Sequence, residues 1–580
     1  MRSIIFFFMT ALLEAAVPAL PALNIDWQSY TPKYCDLPSN GSVRAENAFI
    51  EVPADYWAEN ADPNLKIKLR VRRFVRGDAQ CKKSVWIVPG GPGGHSNSIE
   101  IGFDRYHEMV PSEVCILVMD HRGTGKSSKM LRSKDMEQYT KGLEPIVKNL
   151  LYPIQVISVH NAAMDLVALS NAIKTGSADR QVYLYGESYG AFLSSYAVRL
   201  RPDIFSGVIL DGFAPGLHMQ GGREADLREP LKEICQRSPE CRALINPEDI
   251  PNLAGNFVRS NNDCLKAVIE RSANSKKLTK EERNQPAAVV RSLISESLDA
   301  FDLKLRIPAT LAILKGGVAC ENLDDFKAAL SFLDEKSKKS SSNVDSSTSG
   351  EILPMRPDEE LGQEVKKEKS DKQFSQILHN YLRFSEKQQD SGTCAPSDDQ
   401  MLSRCEAIKH DDMAEYLKPY FYRVHPVPSW PSNLPPVIVV TASADERTPL
   451  ESAKDEFDRI SSKDKTFYKV YYGPHVTLNP GICGLEVITQ LVGGSKENAE
   501  KCIKRFNARF YPPYIEIEPK IKALWGAETL KNAKVVSLPT DDVESEYSDW
   551  LYYGGIGAGI GTALGALIGI VVYCIRKRKN

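Results

Sequence analysis

Residues 66–72, Lys-Ile-Lys-Leu-Arg-Val-Arg, alternate strictly between polar and apolar, the period of an antiparallel strand with one face covered. Residues 85–88, 114–119, 182–185 and 208–210 are instead short unbroken apolar runs, as expected for strands buried on both faces of a parallel sheet. Helical spacing separates several of them. Ala163, Leu166, Val167 and Ser170 share a face over residues 160–172, and residues 189–200 make a small-residue helix. Strand and helix alternate, so the predicted class is α/β. From about residue 216 to 430 that rhythm stops. This stretch reads as a mainly helical inserted cap, with a polar Ser, Lys and Glu tract at 337–372 predicted to be a disordered loop. The pattern returns with a strand at 436–440, a helix at 450–460 and a strand at 467–471. The core is therefore predicted in two parts, 23–215 and 431–511, with the cap at 216–430 between them.

The two ends follow another pattern. Arg2 precedes a short apolar stretch at residues 4–13 and small residues at 17–22, the layout of a signal peptide over residues 1–22. Near the other end, Trp550, Tyr552 and Tyr553 border an uncharged apolar segment, and Arg576, Lys577, Arg578 and Lys579 follow it at once. A helix over 551–575, rising about 1.5 Å per residue, spans a hydrocarbon core of about 30 Å. Aromatic residues at one interface and basic ones at the other set the orientation. The prediction is a single-pass type I protein of a secretory-pathway membrane, its main folded part extracellular or lumenal. It has a stalk at 512–550 and a cytosolic tail at 576–580. Gly557, Gly561, Gly565 and Gly569 recur every fourth residue, a ridge on which a second helix packs closely. A homodimer and a monomeric glycine-rich helix both fit it.

Composition narrows the classes. With 580 residues, 42% hydrophobic and 26% charged, the chain is ordinary globular material. Its 73 Lys and Arg against 75 Asp and Glu leave a net charge of -2 and no basic excess, so no nucleic-acid partner is expected. Twelve cysteines suit an oxidising compartment. Cys574 falls at the cytosolic end of the span, and the odd number left outside implies one free thiol. Cys115, inside an apolar run, is the expected one. Short spacings suggest Cys235 with Cys241, Cys394 with Cys405, and Cys483 with Cys502, although spacing alone does not fix connectivity. Asn40-Gly41-Ser42 is a sequon, so Asn40 is the predicted glycosylation site.

Gly186-Glu187-Ser188-Tyr189-Gly190 lies between a predicted strand and a predicted helix, the setting of a turn that holds a serine hydroxyl exposed at a helix N-terminus. A serine hydroxyl needs a base, and the base an orienting carboxylate. Asp445 follows the strand at 436–440, and His475 follows the next strand, so Ser188, Asp445 and His475 are the candidate triad. Glu446, adjacent, and Asp211, after an earlier strand, are the competing acids. Asp211 reads as a structural turn residue. Donors for a developing oxyanion are expected from the backbone of Tyr189 and of Gly91, the latter in Pro89-Gly90-Gly91-Pro92-Gly93-Gly94. Gly123-Thr124-Gly125-Lys126-Ser127 lacks the first-glycine spacing of a phosphate loop. No His or Cys clustering suggests a metal, and no cofactor is expected.

Residues 89–94, Asp120-His121-Arg122-Gly123-Thr124-Gly125-Lys126-Ser127, residues 186–190 and the Asp445 and His475 segments together resemble the prolyl aminopeptidase and tripeptidyl aminopeptidase family of α/β-hydrolase serine peptidases. The resemblance covers roughly residues 45–215 and 430–510. It implies an α/β-hydrolase fold with a large helical cap, a triad of Ser188, Asp445 and His475, and peptide substrates recognised by their free amino end. Tyr189 and the cysteines look more like the tripeptidyl branch. Pro89 stands where the family usually has histidine before its glycines. Glu187 also resembles serine carboxypeptidases, in which a glutamate before the nucleophile helps bind a C-terminal carboxylate, so Glu187 is a candidate substrate contact. Gly94 stands where that family typically has cysteine. The expected function is a membrane-anchored serine hydrolase that releases residues or short peptides from the N-terminus of peptides. The rivals are a serine carboxypeptidase-like enzyme, a lipid or small-molecule esterase, and a catalytically silent receptor on the same fold.

Overall fold

A computed structural model of the chain describes residues 17–129, 156–213 and 428–509 apart from short gaps, with a few positions between 232 and 250. Residues 1–16, Asn40, most of the predicted cap with its 337–372 loop, the stalk, the 551–575 segment with Gly557, Gly561, Gly565 and Gly569, and the tail lie outside the described residues. So do Glu446, Cys241, Cys394, Cys405 and Cys574.

Among the described residues, nine strands make one sheet: β1 (Gln28–Ser29), β2 (Val43–Pro53), β3 (Lys66–Arg76), β4 (Lys83–Val88), β5 (Val114–Met119), β6 (Gln181–Glu187), β7 (Gly207–Asp211), β8 (Val437–Ala442) and β9 (Lys465–Val470). Their spatial order is β1-β2-β3-β5-β4-β6-β7-β8-β9. The first three strands and β5 pair antiparallel, and from β5 onward every neighbour is parallel. Strands β7 and β8 are direct neighbours, Asp211 opposite Val440, although the chain from 212 to 436 separates them.

Side-chain alternation divides the core into two layers. Val182, Leu184, Val208 and Leu210 face helices α3 (Val159–Thr175), α4 (Tyr189–Leu200) and α5 (Leu450–Arg459). Tyr183, Tyr185 and Ile209 face the opposite way. There they meet α1 (Ser96–Ile101), α2 (Phe103–Met109), α6 (Gly484–Leu491) and α7 (Lys496–Arg509). The unbroken apolar strands follow from this sandwich, since a central strand covered on both faces has no wet side. In α4 every residue but Arg199 is buried, which its small residues Gly190, Ala191, Ser194, Ser195 and Ala197 permit against both the sheet and α3. Arg199 pairs with Glu456 of α5 and lies 3.8 Å from the Trp430 ring centroid.

The alternation in β3 has a different cause from the one its sequence suggests. Ile67, Leu69 and Val71 face one core layer, but Arg70 and Arg72 on the other face are buried too. The Tyr30 ring covers both guanidinium groups, at 5.7 and 5.4 Å, and Arg72 pairs with buried Glu100 of α1.

The cysteines correct one expectation. Cys115 is not free: it bonds to Cys81, beside β4. Its apolar surroundings mark burial, and a buried half-cystine looks the same in sequence as a buried thiol. Cys35 is the free cysteine among the described residues, its thiol pushed up to about 12 by burial and by Glu100. Cys483 pairs with Cys502, joining the start of α6 to α7, and Cys235 is disulfide-bonded. No helix among the described residues is long and apolar enough to cross a membrane.

Candidate active site

Strand β6 ends in Gly186 and Glu187, and Ser188 turns the chain directly into α4. Ser188 has φ 57° and ψ -119°, a conformation that costs a non-glycine residue on the order of 1–3 kcal/mol and persists only where the surroundings impose it. The imposing groups are close backbones. A Cβ on Gly186 would lie 2.4 Å from the Gly190 carbonyl oxygen, and one on Gly190 would lie 1.9 Å from that of Val88. No side chain fits at either place. The Ser188 amide donates to the Asp211 carbonyl at 2.8 Å. Its hydroxyl stands at the N-terminus of a 12-residue helix, where the helix dipole favours negative charge.

His475 reaches this hydroxyl from the turn after β9. Its Nε2 lies 2.8 Å from Ser188 Oγ and its Nδ1 lies 2.8 Å from Asp445 Oδ2, on the turn after β8. The tautomer with the proton on Nδ1 serves both contacts: the ring donates to the carboxylate and accepts from the serine. Asp445 is only 2% exposed. The amide of Thr448 donates to its Oδ1 at 2.9 Å and the Thr448 hydroxyl to its Oδ2 at 2.6 Å. Thr448 is a functional residue the sequence reading missed. Its signal is the Asp-x-x-Thr spacing, in which a carboxylate caps a backbone N–H three residues on. The competing acid Asp211 bonds the Thr477 and Leu478 amides rather than the imidazole.

The glycine-rich loop also comes to the elbow. A Cβ on Gly90 would lie 2.7 Å from the Glu187 carbonyl oxygen and 2.9 Å from Ser188 Cβ. Gly91 follows with φ +119°, and the Gly94 amide closes the turn onto the Gly90 carbonyl at 3.0 Å. Asp120 ties this loop down, accepting from the Ser96 amide at 2.7 Å, from the Ser96 hydroxyl, and from the Lys126 amide at 2.8 Å. Burial alone would raise its carboxyl pKa, but His95, Arg72 and these hydrogen bonds hold it below the usual range. His121, edge-on to the Tyr189 ring, is pushed down to about 4 by burial and stays neutral. Arg122 is wholly buried, its guanidinium on Asp165 and on the carbonyls of Ala54 and Val156. The segment 120–127 is thus the scaffold under the loop.

Glu187 has partners of another kind from a substrate contact. Its carboxylate is 4% exposed, accepts from Tyr106 Oη at 3.1 and 3.0 Å and pairs with Arg105 at 3.1 Å. Cys483, Glu486 and Cys502 bring metal-ligand atoms within reach of one another, but the two cysteines are spent on their disulfide.

Residues 83–231 match the sequence profile of the α/β hydrolase fold. The strand order and the profile agree. The core is an α/β-hydrolase fold. With its Ser-His-Asp relay, the chain is a hydrolase of that fold. Among solved structures, an epoxide hydrolase from hot-environment metagenomes is 12% identical with a TM-score of 0.32, over 81% of this chain and 100% of its own. A proline iminopeptidase from Mycobacterium smegmatis is 10% identical with a TM-score of 0.29, over 79% and 99%. A haloalkane dehalogenase variant from Bradyrhizobium elkanii is 12% identical with a TM-score of 0.32, over 77% and 97%. At such low identities and TM-scores these likenesses say nothing of substrate. No curated protein matches the chain.

Proposed function

We propose that this hydrolase is a membrane-anchored serine exopeptidase of the secretory pathway, releasing residues or short peptides from the N-terminus of peptide substrates through an acyl-enzyme. The observation that carries the catalytic part is the unbroken relay from Ser188 Oγ through His475 to Asp445, with both links at 2.8 Å. Ser188 Oγ attacks the scissile carbonyl carbon while His475 Nε2 takes its proton, and Asp445 stabilises the imidazolium. The oxyanion is received by the amides of Gly91 and Tyr189. His475 then protonates the leaving amine, and water, activated by the same imidazole, releases the acyl group. Only peptide and water are consumed, so the reading needs no cofactor or metal.

The preference for a free N-terminus rests on the resemblance carried by residues 89–94, 120–127 and 186–190. The anchor rests on the apolar pattern of 551–575, and two disulfides between described cysteines suit an oxidising compartment. The test incubates the full-length protein in detergent with peptides bearing free or acetylated N-termini, beside a Ser188→Ala control, and reads products by mass spectrometry. Fragments released from the N-terminus of the free peptides alone support the proposal. Cleavage of simple esters with both peptide sets untouched would make the protein an esterase instead.

A further inference from the structure

Asp211, at the end of β7, touches both halves of the relay. Its backbone carbonyl accepts the Ser188 amide at 2.8 Å. Its side chain grips the turn that carries His475: Oδ1 accepts from the Thr477 amide and Oδ2 from the Leu478 amide, each at 2.9 Å. Tyr185 Oη, from β6, donates to the same Oδ2 at 3.0 Å. The next residue, Gly212, has φ +62° and lies against the imidazole, since a Cβ there would meet His475 Cε1 at 3.2 Å and Nδ1 at 3.3 Å. The gripped turn is under strain. Val476 has φ 59°, and a positive φ is a true outlier for a β-branched residue. Such a conformation survives only where neighbouring groups over-determine it.

We propose that Asp211 is a positioning residue for His475, its ionised carboxylate clamping the turn 475–478 so that Nε2 meets the Ser188 hydroxyl. The proposal rests on the triad reading above. As a carboxylate, Asp211 accepts from three donors with its two oxygens; protonation turns one oxygen into a donor toward Tyr185 Oη and leaves a weaker acceptor for the turn's amides. The charged and titratable groups around it are Tyr185 and Glu187 from β6, Arg105 and Tyr106 from α2, and His475 itself. Glu187 is its partner in the β6–β7 register, and Arg105 pairs with that glutamate. Burial pushes the Asp211 carboxyl up to about 6, Glu187 adds to the rise, and the Leu478 and Thr477 amides and the Tyr185 hydroxyl oppose it. Above that pH the turn is gripped by a full carboxylate, and below it the grip weakens.

The experiment measures the rate at which a fluorophosphonate probe modifies Ser188 in the full-length protein, from about pH 4 to about pH 9. On the acid side the wild type is expected to lose rate with a log–log slope approaching about 2, one of the two protons being that of Asp211. Asp211→Asn is expected to react at least about tenfold more slowly at the plateau and to show a slope of about 1. Tyr185→Phe keeps the carboxylate but removes one donor to it, so its acid limb should move to higher pH, a shift that loss of packing does not produce. A wild-type slope of about 1, or an Asp211→Asn protein with the wild-type rate and slope, would overturn the proposal. Should Asp211→Asn fail to fold, an unmoved acid limb in Tyr185→Phe would overturn it as well. With Ser188→Ala as the blank, a wild type that takes no label overturns the triad reading, and the clamp with it. A labelled wild type with a single-proton limb overturns the clamp alone.

Discussion

The turn that carries Ser188 and the turn that carries His475 meet at one hydrogen bond, yet they are held by opposite means. The serine turn is fixed by contact: Gly186 and Gly190 leave no room for a Cβ, and the strand and helix on either side are continuous with it. The histidine turn is fixed from a distance. Val476 is strained, and the restraint comes from Asp211, 266 positions away in sequence from the Thr477 amide it accepts. A steric device is written locally as glycines, whereas a long-range clamp leaves no mark near the residue it serves.

Substitutions on each side sharpen this contrast. The largest effect is expected at Asp445→Asn, which keeps the shape but lets the imidazole adopt the wrong tautomer; kcat should fall about 10⁴-fold with KM little changed. Gly90→Ala tests the contact-built side. Its methyl would sit 2.9 Å from Ser188 Cβ, and a displacement of about 1 Å at the nucleophile costs about 10²-fold in kcat/KM. Thr448→Val removes the hydroxyl bonded to Asp445 and keeps the backbone donor. At about 1–1.5 kcal/mol for one hydrogen bond, a roughly tenfold loss in kcat is expected from steady-state kinetics. A Thr448→Val effect as large as that of Asp445→Asn would show that the histidine side depends on local contacts after all.

Asp211 also sets stability against activity. Its folded pKa, about 6, stands above its ordinary 3.8, so folding favours its protonated form. Its contribution to stability is complete below about 4 and is lost as pH rises through about 6. Activity has the opposite sign, because the ionised form holds the histidine turn. Thermal melts of the wild type and Asp211→Asn across this window should therefore differ in slope, the wild type losing more stability with rising pH.

Much of the architecture was legible because buried parallel strands are apolar throughout. Strand β5 and helix α4 begin and end where the apolar pattern does, and β4, β6, β7 and β8 extend one or two residues beyond their apolar runs. Strand β2, Val-Arg-Ala-Glu-Asn-Ala-Phe-Ile-Glu-Val-Pro, carries no clean period because its covered face switches midway: Val43 and Ala45 pack in one core layer and Ala48, Ile50 and Val52 in the other. The short helices α1 and α2 follow a glycine-rich loop, with no long apolar face to announce them. At the site, Ser188, Asp445 and His475 were legible from their places at strand ends, and the structure brings them together. Thr448 was hidden by its ordinary side chain. Asp211 was legible as a turn residue, but its hold on the histidine turn was hidden because Thr477 and Leu478 lie beyond the chain from 212 to 436. Arg70 and Arg72 misled, since alternation reveals polarity and not exposure.

The most direct measurement is to label the full-length protein with a fluorophosphonate probe and map the modified residue by peptide mass spectrometry, beside Ser188→Ala and His475→Ala. The account predicts a single adduct on Ser188, absent from the first variant and formed at least about 10³-fold more slowly in the second. An adduct on another residue, or on Ser188 at an unchanged rate without His475, would contradict it.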